Sequence, residues 1–192
     1  MPDNTSSLFD IIKNRRTIKP PLMNGKKIPN EQIKQLLGLA DWAPTHANTE
    51  PWYFVVYADP KTFCLEHAEL YKDSTGAQDF MQFNYEKLLR MGDKASHVIV
   101  AVMRRGRLSK IPVLEEIAAT ACAVQNILLG ATALGIASYW GTGGMALKPE
   151  MKTYLNLGDE DMVMGILYLG YSDSVPSGER LIPLSDKVKW VG

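Results

Sequence analysis

Apolar residues along the chain follow two spacings, which together predict a mixed α/β protein. Helical spacing predicts helices over about 5–14, 30–42, 61–71, 78–91, 114–134 and 149–155. Runs of β-branched and aromatic residues predict strands at Trp52–Tyr57, His97–Val102, Ile136–Trp140 and Met162–Gly170. Long helices beside few strands predict a sheet that is covered by helices on both faces.

The segment after the last predicted strand has a different character. From Ser174 onward, Pro176, Gly178 and Pro183 interrupt any regular spacing, which predicts an extended segment that adds little to the core. A chain of 192 residues has the length of one domain. We therefore expect a single domain over 1–192, with 174–192 as an extended C-terminal arm.

Composition narrows the classes of function. The formal net charge is +0, so nucleic acid and acidic membranes are not expected partners. Cys64 and Cys122 are far apart, which argues against a disulfide framework and against a structural metal site. The polar stretch Met1–Asp10 lacks the apolar core of a signal peptide, so a cytoplasmic location is expected.

One uncharged stretch, Ile117–Leu147, is long enough to cross a membrane. Gln125 and Asn126 lie within it and Gly135 interrupts it. These residues favour a buried helix followed by a buried strand, and we expect no membrane span.

A basic cluster follows the first predicted helix. Arg15, Arg16, Thr17 and Lys19 precede Pro20–Pro21, which ends the helix. Guanidinium forks and a hydroxyl match the oxygens of a phosphate, so the cluster is a candidate anion site. The alternative is a solvated basic helix end that complements the helix dipole.

Hydrogen-bonding residues also fill the loop between Trp42 and Trp52. Thr45, His46 and Asn48 lie there, and loops on a rigid scaffold often bind ligands. His46 is a candidate proton donor or a partner for a ligand carbonyl. The alternative is a structural loop in which these side chains satisfy turn amides.

A glycine-rich loop, Trp140–Gly144, follows the third predicted strand. Glycines there let a flat ligand approach the backbone and leave N–H groups free to donate. The spacing is not that of a dinucleotide-binding G-x-G-x-x-G motif, and a plain turn is the alternative. The basic loop Arg104–Lys110 could contact an NADPH phosphate or nucleic acid, but we expect it to be solvated.

In order along the chain, these motifs resemble the FMN-dependent NAD(P)H nitroreductase family, and its compact subgroup in particular. The matching residues are Arg15-Arg16-Thr17, then Ala43-Pro44-Thr45-His46-Ala47-Asn48-Thr49-Glu50-Pro51-Trp52, then Gln125-Asn126, then Trp140-Gly141-Thr142-Gly143. The resemblance implies an α/β (α+β) three-layer fold, with a central, mostly antiparallel sheet flanked by helices. It also implies an intertwined homodimer in which the arm wraps the partner.

The resemblance further implies how FMN would be bound. Arg15, Arg16 and Thr17 would hold its phosphate and ribityl chain, and Lys19 would lie near its pyrimidine ring, where positive charge stabilises the anionic reduced flavin. Arg180 would be a second phosphate contact.

Two loops complete the implied site. One would reach the flavin of the partner subunit through Trp42, His46 and Asn48. The other would lie beside the ring and comprises Trp140, Gly141, Thr142 and Gly143. Glu50 departs from the family, which has Gln at this position, and a carboxylate near an electron-rich ring is unfavourable unless it is paired.

The implied activity is a ping-pong reaction in which FMN takes hydride from NAD(P)H and reduces a nitroaromatic, a quinone or a similar acceptor. The flavin carries the chemistry, so no catalytic side chain is assigned. The alternative is a flavin-binding or redox-sensing module without turnover of its own.

Overall fold

A computed structural model describes residues 8–192. Its helices are α1 (Leu8–Asn14), α2 (Asn30–Ala40), α3 (Pro60–Ser74), α4 (Gln82–Arg90), α5 (Val113–Ala133) and α6 (Pro149–Tyr154). Its strands are β1 (Trp52–Tyr57), β2 (His97–Met103), β3 (Ala137–Gly141) and β4 (Met162–Gly170). The predicted first helix began near residue 5, and its first three positions lie outside the described residues.

The four strands form one sheet in the order β1-β2-β4-β3. Every neighbouring pair is antiparallel, which confirms the predicted, mostly antiparallel sheet. The register between β2 and β4 shifts between Ala101 and Val102. Gly165 lies opposite the shift with a φ of +132°, a conformation that favours glycine.

Helices cover both faces of this sheet and make three layers. On one face, α2 and α5 pack on Ile99 of β2 and Leu167 of β4. On the other face, α3 and α6 pack on Val100 and Ile166 of the same strands. Successive strand residues thus point to opposite layers, so β2 and β4 read as continuous apolar runs.

The long helix α5 is apolar on most of its surface. By length and composition it could cross a membrane, and 44% of its most apolar window is buried against the rest of the chain. Leu36 and Leu39 of α2 lie so close to Gly130 that a Cβ there would contact them, so α5 is held tightly against α2. This packing agrees with a core helix and not with a membrane span.

The arm after β4 is exposed along its whole length and contains one 3-10 turn, Leu184–Lys187. It carries several exposed apolar side chains, including Trp190 at 92% exposure. The role of 174–192 as an extended arm stays a prediction. The single-domain boundary and the cytoplasmic location stay predictions.

Candidate active site

A hollow of about 510 Å³ lies between α3, α4 and the loop that follows β3. Ile166 and Tyr168 of β4 form part of its lining, and His67 lines it from α3. A smaller hollow of about 280 Å³ shares Lys87, Met91 and Tyr139 with it and also reaches Lys19. We call the two together the groove. The groove brings the predicted Lys19 and the predicted glycine loop into one site.

The basic cluster is positioned by pairing with the edge strand of the sheet. The N–H of Ile18 donates to the carbonyl of Ser138 at 2.9 Å, and Thr17 forms a parallel bridge with Ser138. In extended backbone, successive side chains point to opposite sides. Ile18 is accordingly buried, and Lys19 lies at the groove.

Arg16 lies apart from the groove. Its guanidinium donates to the carbonyls of Lys13 (2.7 Å) and Arg15 (2.9 Å), and it lines a separate hollow of about 100 Å³ beside Val175. Among residues 8–192, Arg180 donates only to the carbonyl of Glu179, at 3.3 Å. Neither side chain lines the groove within one chain, so their assignment to the FMN phosphate stays a prediction.

The glycine loop is anchored to α3 by a buried histidine that the sequence did not single out. The N–H of Met145 donates to Nε2 of His67 at 2.8 Å, which places the ring proton on Nδ1. His67 is 1% exposed, and burial lowers its pKa from 6.5 to about 4. Its Nδ1 is a buried atom without a hydrogen-bond partner among the described residues. The imidazole is therefore neutral near pH 7 and acts as a fixed acceptor for the loop.

Gly144 makes this anchor possible. It has a φ of +64°, and a Cβ at this position would lie 2.6 Å from Nε2 of His67. At Gly143 a Cβ would have nothing within 4 Å. Two glycines of the loop therefore have different roles, since Gly144 permits close packing and Gly143 leaves open space at the groove.

The loop between α2 and β1 carries concentrated backbone strain. Ala47, Asn48 and Glu50 have φ values of 50°, 52° and 43°, in the left-handed region that such residues seldom adopt. The hydroxyls of Thr45 and Thr49 lie 3.0 Å apart, and Thr45 also accepts the N–H of Glu50 at 3.1 Å. Strained loops that are fixed in this way cluster at functional sites.

This loop does not line the groove of its own chain. Trp42 is 87% exposed, and neither His46 nor Asn48 is among the groove residues. Nδ1 of His46 lies 2.5 Å from the carboxylate of Glu115 at the start of α5. This pair was not predicted, because the two residues are far apart along the chain.

The comparisons with known proteins agree with this geometry. The model of the nitroreductase family matches residues 12–171. The chain belongs to the nitroreductase family. A Bacillus subtilis protein with the provisional name NAD(P)H nitroreductase YfhC is 26% identical over 189 residues, covering 95% of this chain and 93% of that protein.

Solved structures of nitroreductases confirm the fold. A nitroreductase-like family protein from Bacillus cereus has a TM-score of 0.79 at 24% identity, covering 97% of this chain and 96% of that one. A nitroreductase with bound FMN from Bacteroides fragilis has a TM-score of 0.69 at 21% identity, covering 98% of this chain and all of that one.

The nitroreductase groove also contains side chains that the motifs did not indicate. Asn84 and Lys87 lie three residues apart on α4, on one face of the helix, and both line the groove. Tyr139 of β3 lines both hollows. Lys19 and Lys87 thus both line the smaller hollow of the groove.

Proposed function

We propose that this nitroreductase binds FMN in the groove, takes hydride from NAD(P)H and reduces small acceptors such as nitroaromatics and quinones by a ping-pong mechanism. One observation carries the proposal: Lys19, Lys87 and the anchored glycine loop border a single open groove. The FMN that is bound to the Bacteroides fragilis nitroreductase of the same fold supports it.

The groove fits the chemical parts of FMN. A flat ring can approach the backbone where Gly141 and Gly143 carry no side chain. Asn84 offers an amide that can donate to and accept from the polar edge of the ring. Arg15 and Thr17 do not line the two hollows, but they lie just before Lys19 in the chain, and we assign them to the ribityl chain and phosphate.

When bound, the flavin supplies the two-electron chemistry. The chain's own residues supply charge and position. Lys19 and Lys87 place positive charge beside the ring, which favours the reduced, anionic form of a flavin. The imidazole of His67 fixes the loop on one side, and the groove is open to solvent, so donor and acceptor can occupy it in turn.

A second copy of the chain would complete the site. The arm carries apolar side chains that a single chain leaves in water, and such surfaces mark interfaces. They are Val175, Leu181, Ile182, Leu184, Val188, Trp190 and Val191. In an intertwined homodimer the arm would cover the partner, and the strained loop with His46 and Asn48 would reach the partner's groove.

The first test is the visible spectrum of the purified protein before and after NADPH is added without oxygen. Flavin bands that bleach support the proposal, and flavin bands that persist favour a binding module without turnover. Protein that takes up no FMN contradicts the groove as a cofactor site. With a quinone as acceptor, parallel double-reciprocal lines are expected, and intersecting lines contradict the ping-pong order.

A pair of variants locates the flavin. Lys87→Gln removes a cation from the groove, and we expect about tenfold weaker FMN retention, which is the effect of one charge-assisted hydrogen bond. Lys34→Gln is the control, because Lys34 forms an exposed ion pair with Glu31 on α2 outside the groove. Equal FMN retention in both variants would contradict the placement of the flavin.

A further inference from the structure

The basic loop after β2 is exposed at Arg104, Arg107 and Lys110, as its sequence predicts, but Arg105 within it is mostly buried. Arg105 is 11% exposed and forms an ion pair with Glu116, which is 1% exposed. Arg105 also donates to the carbonyls of Ser109 (3.2 Å) and Ile111 (2.7 Å). Glu116 in addition accepts the N–H of Gly106 at 3.0 Å. The buried arginine thus holds the loop in one shape over the start of α5.

The loop packs against the strained segment before β1. A Cβ at Gly106 would lie 3.2 Å from Cβ of Thr49, so the two loops approach closely. Between them lies a hollow of about 450 Å³. Its lining includes Asn48 and Glu50 on one side and Arg104 and Arg107 on the other. We call it the arginine hollow.

The guanidinium of Arg104 lies over an aromatic ring. Its Cζ lies 3.4 Å from the centre of the Tyr53 ring. Stacking fixes the plane of the guanidinium and leaves its N–H edge free to donate to a planar or tetrahedral anion. The N–H of Arg104 is fixed as well, since it donates to the carbonyl of Pro51 at 2.7 Å.

The charges around the arginine hollow favour an anion. Glu116 neutralises Arg105, whereas Arg104 and Arg107 form no ion pair within residues 8–192. Glu50 is the carboxylate in the lining, and it lies on the opposite loop. Two unpaired guanidiniums against one carboxylate leave an excess of positive charge in a pre-shaped hollow.

We propose that the arginine hollow binds a phosphate monoester, the 2′-phosphate of NADPH, and so makes the enzyme prefer NADPH to NADH. The inference rests on the proposed function. The hollow shares Asn48 with the strained loop, and the proposed function places that loop at the partner's flavin, where the nicotinamide would bind. The 2′-phosphate is at the adenosine end of the donor, away from the nicotinamide, and we assign the hollow to it.

The test uses the FMN-loaded protein and binding of fragments of the donor by calorimetry. Adenosine 2′,5′-bisphosphate and adenosine 5′-monophosphate differ only by the 2′-phosphate. We expect the bisphosphate to bind at least about tenfold more tightly, from charge-assisted hydrogen bonds to two arginines. Arg107→Gln should reduce this preference several-fold, and Lys34→Gln, an exposed charge on α2, should leave it unchanged.

Two further variants test the role of the Arg104 guanidinium and that of the Glu50 carboxylate. Arg104→Lys keeps the charge but loses the planar fork, so the preference should fall, but by less than in Arg104→Gln. Glu50→Gln removes the carboxylate from the hollow and should tighten bisphosphate binding several-fold. Thermal unfolding and FMN content confirm that each variant is folded.

Equal binding of the two nucleotides to the unaltered protein would overturn the inference, and so would a preference that the arginine variants keep. A third outcome is that inorganic phosphate binds through Arg107 but the bisphosphate is not preferred. This outcome would assign the hollow to another phosphate ligand and overturn the NADPH assignment. Flavin reduction by NADH is measured separately. This measurement tests the proposed function, so the proposed function and the preference for NADPH can fail independently.

Discussion

Acidification should weaken the fold through His67, because its buried imidazole resists protonation. In the unfolded chain the pKa is near 6.5, and in the folded protein burial lowers it to about 4. Between these values the unfolded chain binds a proton that the folded chain excludes. The stabilisation is therefore complete above pH 6.5 and is lost as the pH falls toward 4.

The size of the loss follows from the two pKa values. At about 1.4 kcal/mol for each pH unit, the interval from 6.5 to about 4 corresponds to about 3 kcal/mol of unfolding free energy. His97 is also buried, and its pKa is lowered by burial and by nearby Lys27. The contribution of His97 to the pH dependence has the same sign. It is the same in the unaltered protein and in variants of His67, so it cancels when their unfolding free energies are compared.

His67→Gln separates titration from the hydrogen bond. The amide oxygen of glutamine can accept the N–H of Met145, as Nε2 does, but it does not titrate in this range. Urea unfolding of the FMN-saturated protein, followed by circular dichroism between pH 7 and 4, measures the difference. The variant should lose about 3 kcal/mol less than the unaltered protein over this interval. An identical pH dependence in the two proteins would refute the argument.

Further predictions concern packing and assembly. Gly144→Ala should cost about 1–3 kcal/mol in thermal unfolding, through positive φ and contact with the buried imidazole, whereas Gly143→Ala should leave the unfolding temperature nearly unchanged. Glu116→Gln leaves a buried arginine without its counter-charge and should cost about 3–5 kcal/mol in urea unfolding. Glu160→Gln is its control, since Glu160 is 73% exposed and 3.9 Å from the same arginine, and a similar cost in both would contradict the buried pair. Removal of 174–192 should convert dimers to monomers in sedimentation velocity, and dimers that persist would contradict the role of the arm.

The strands were predictable because their sequences are continuous apolar runs. The predicted and observed bounds of β4 agree at both ends, from Met162 to Gly170. The start of α4 was predicted four residues too early, at Gln78. The N–H of Met81 donates to the hydroxyl of Tyr71 at 3.0 Å, so a contact with another helix sets this boundary. Local spacing carries no information about such a contact.

The parts of the site that are contiguous in the sequence were predictable. The parts that the fold brings together from distant segments were not. Lys19 and the loop at Gly141 belong to short motifs, and the structure places both at the groove. In the sequence, Asn84 and Lys87 are typical of any solvated helix face. Only the folded structure, which places the glycine loop in the same lining, shows that they belong to the groove. The contacts predicted for Trp42 depend on a second copy, which a single chain does not provide.

The position of β4 has a consequence for biosynthesis. It lies between β2 and β3 but follows both along the chain. Within residues 8–192, β3 and the basic segment that pairs with it at Ser138 join the other strands only through β4. On the ribosome, therefore, β3 and the β1–β2 pair have no strand between them until Met162 and the residues after it leave the exit tunnel. A nascent chain that is stalled before this point presents two unpaired strand edges, where chaperones or other nascent chains can bind.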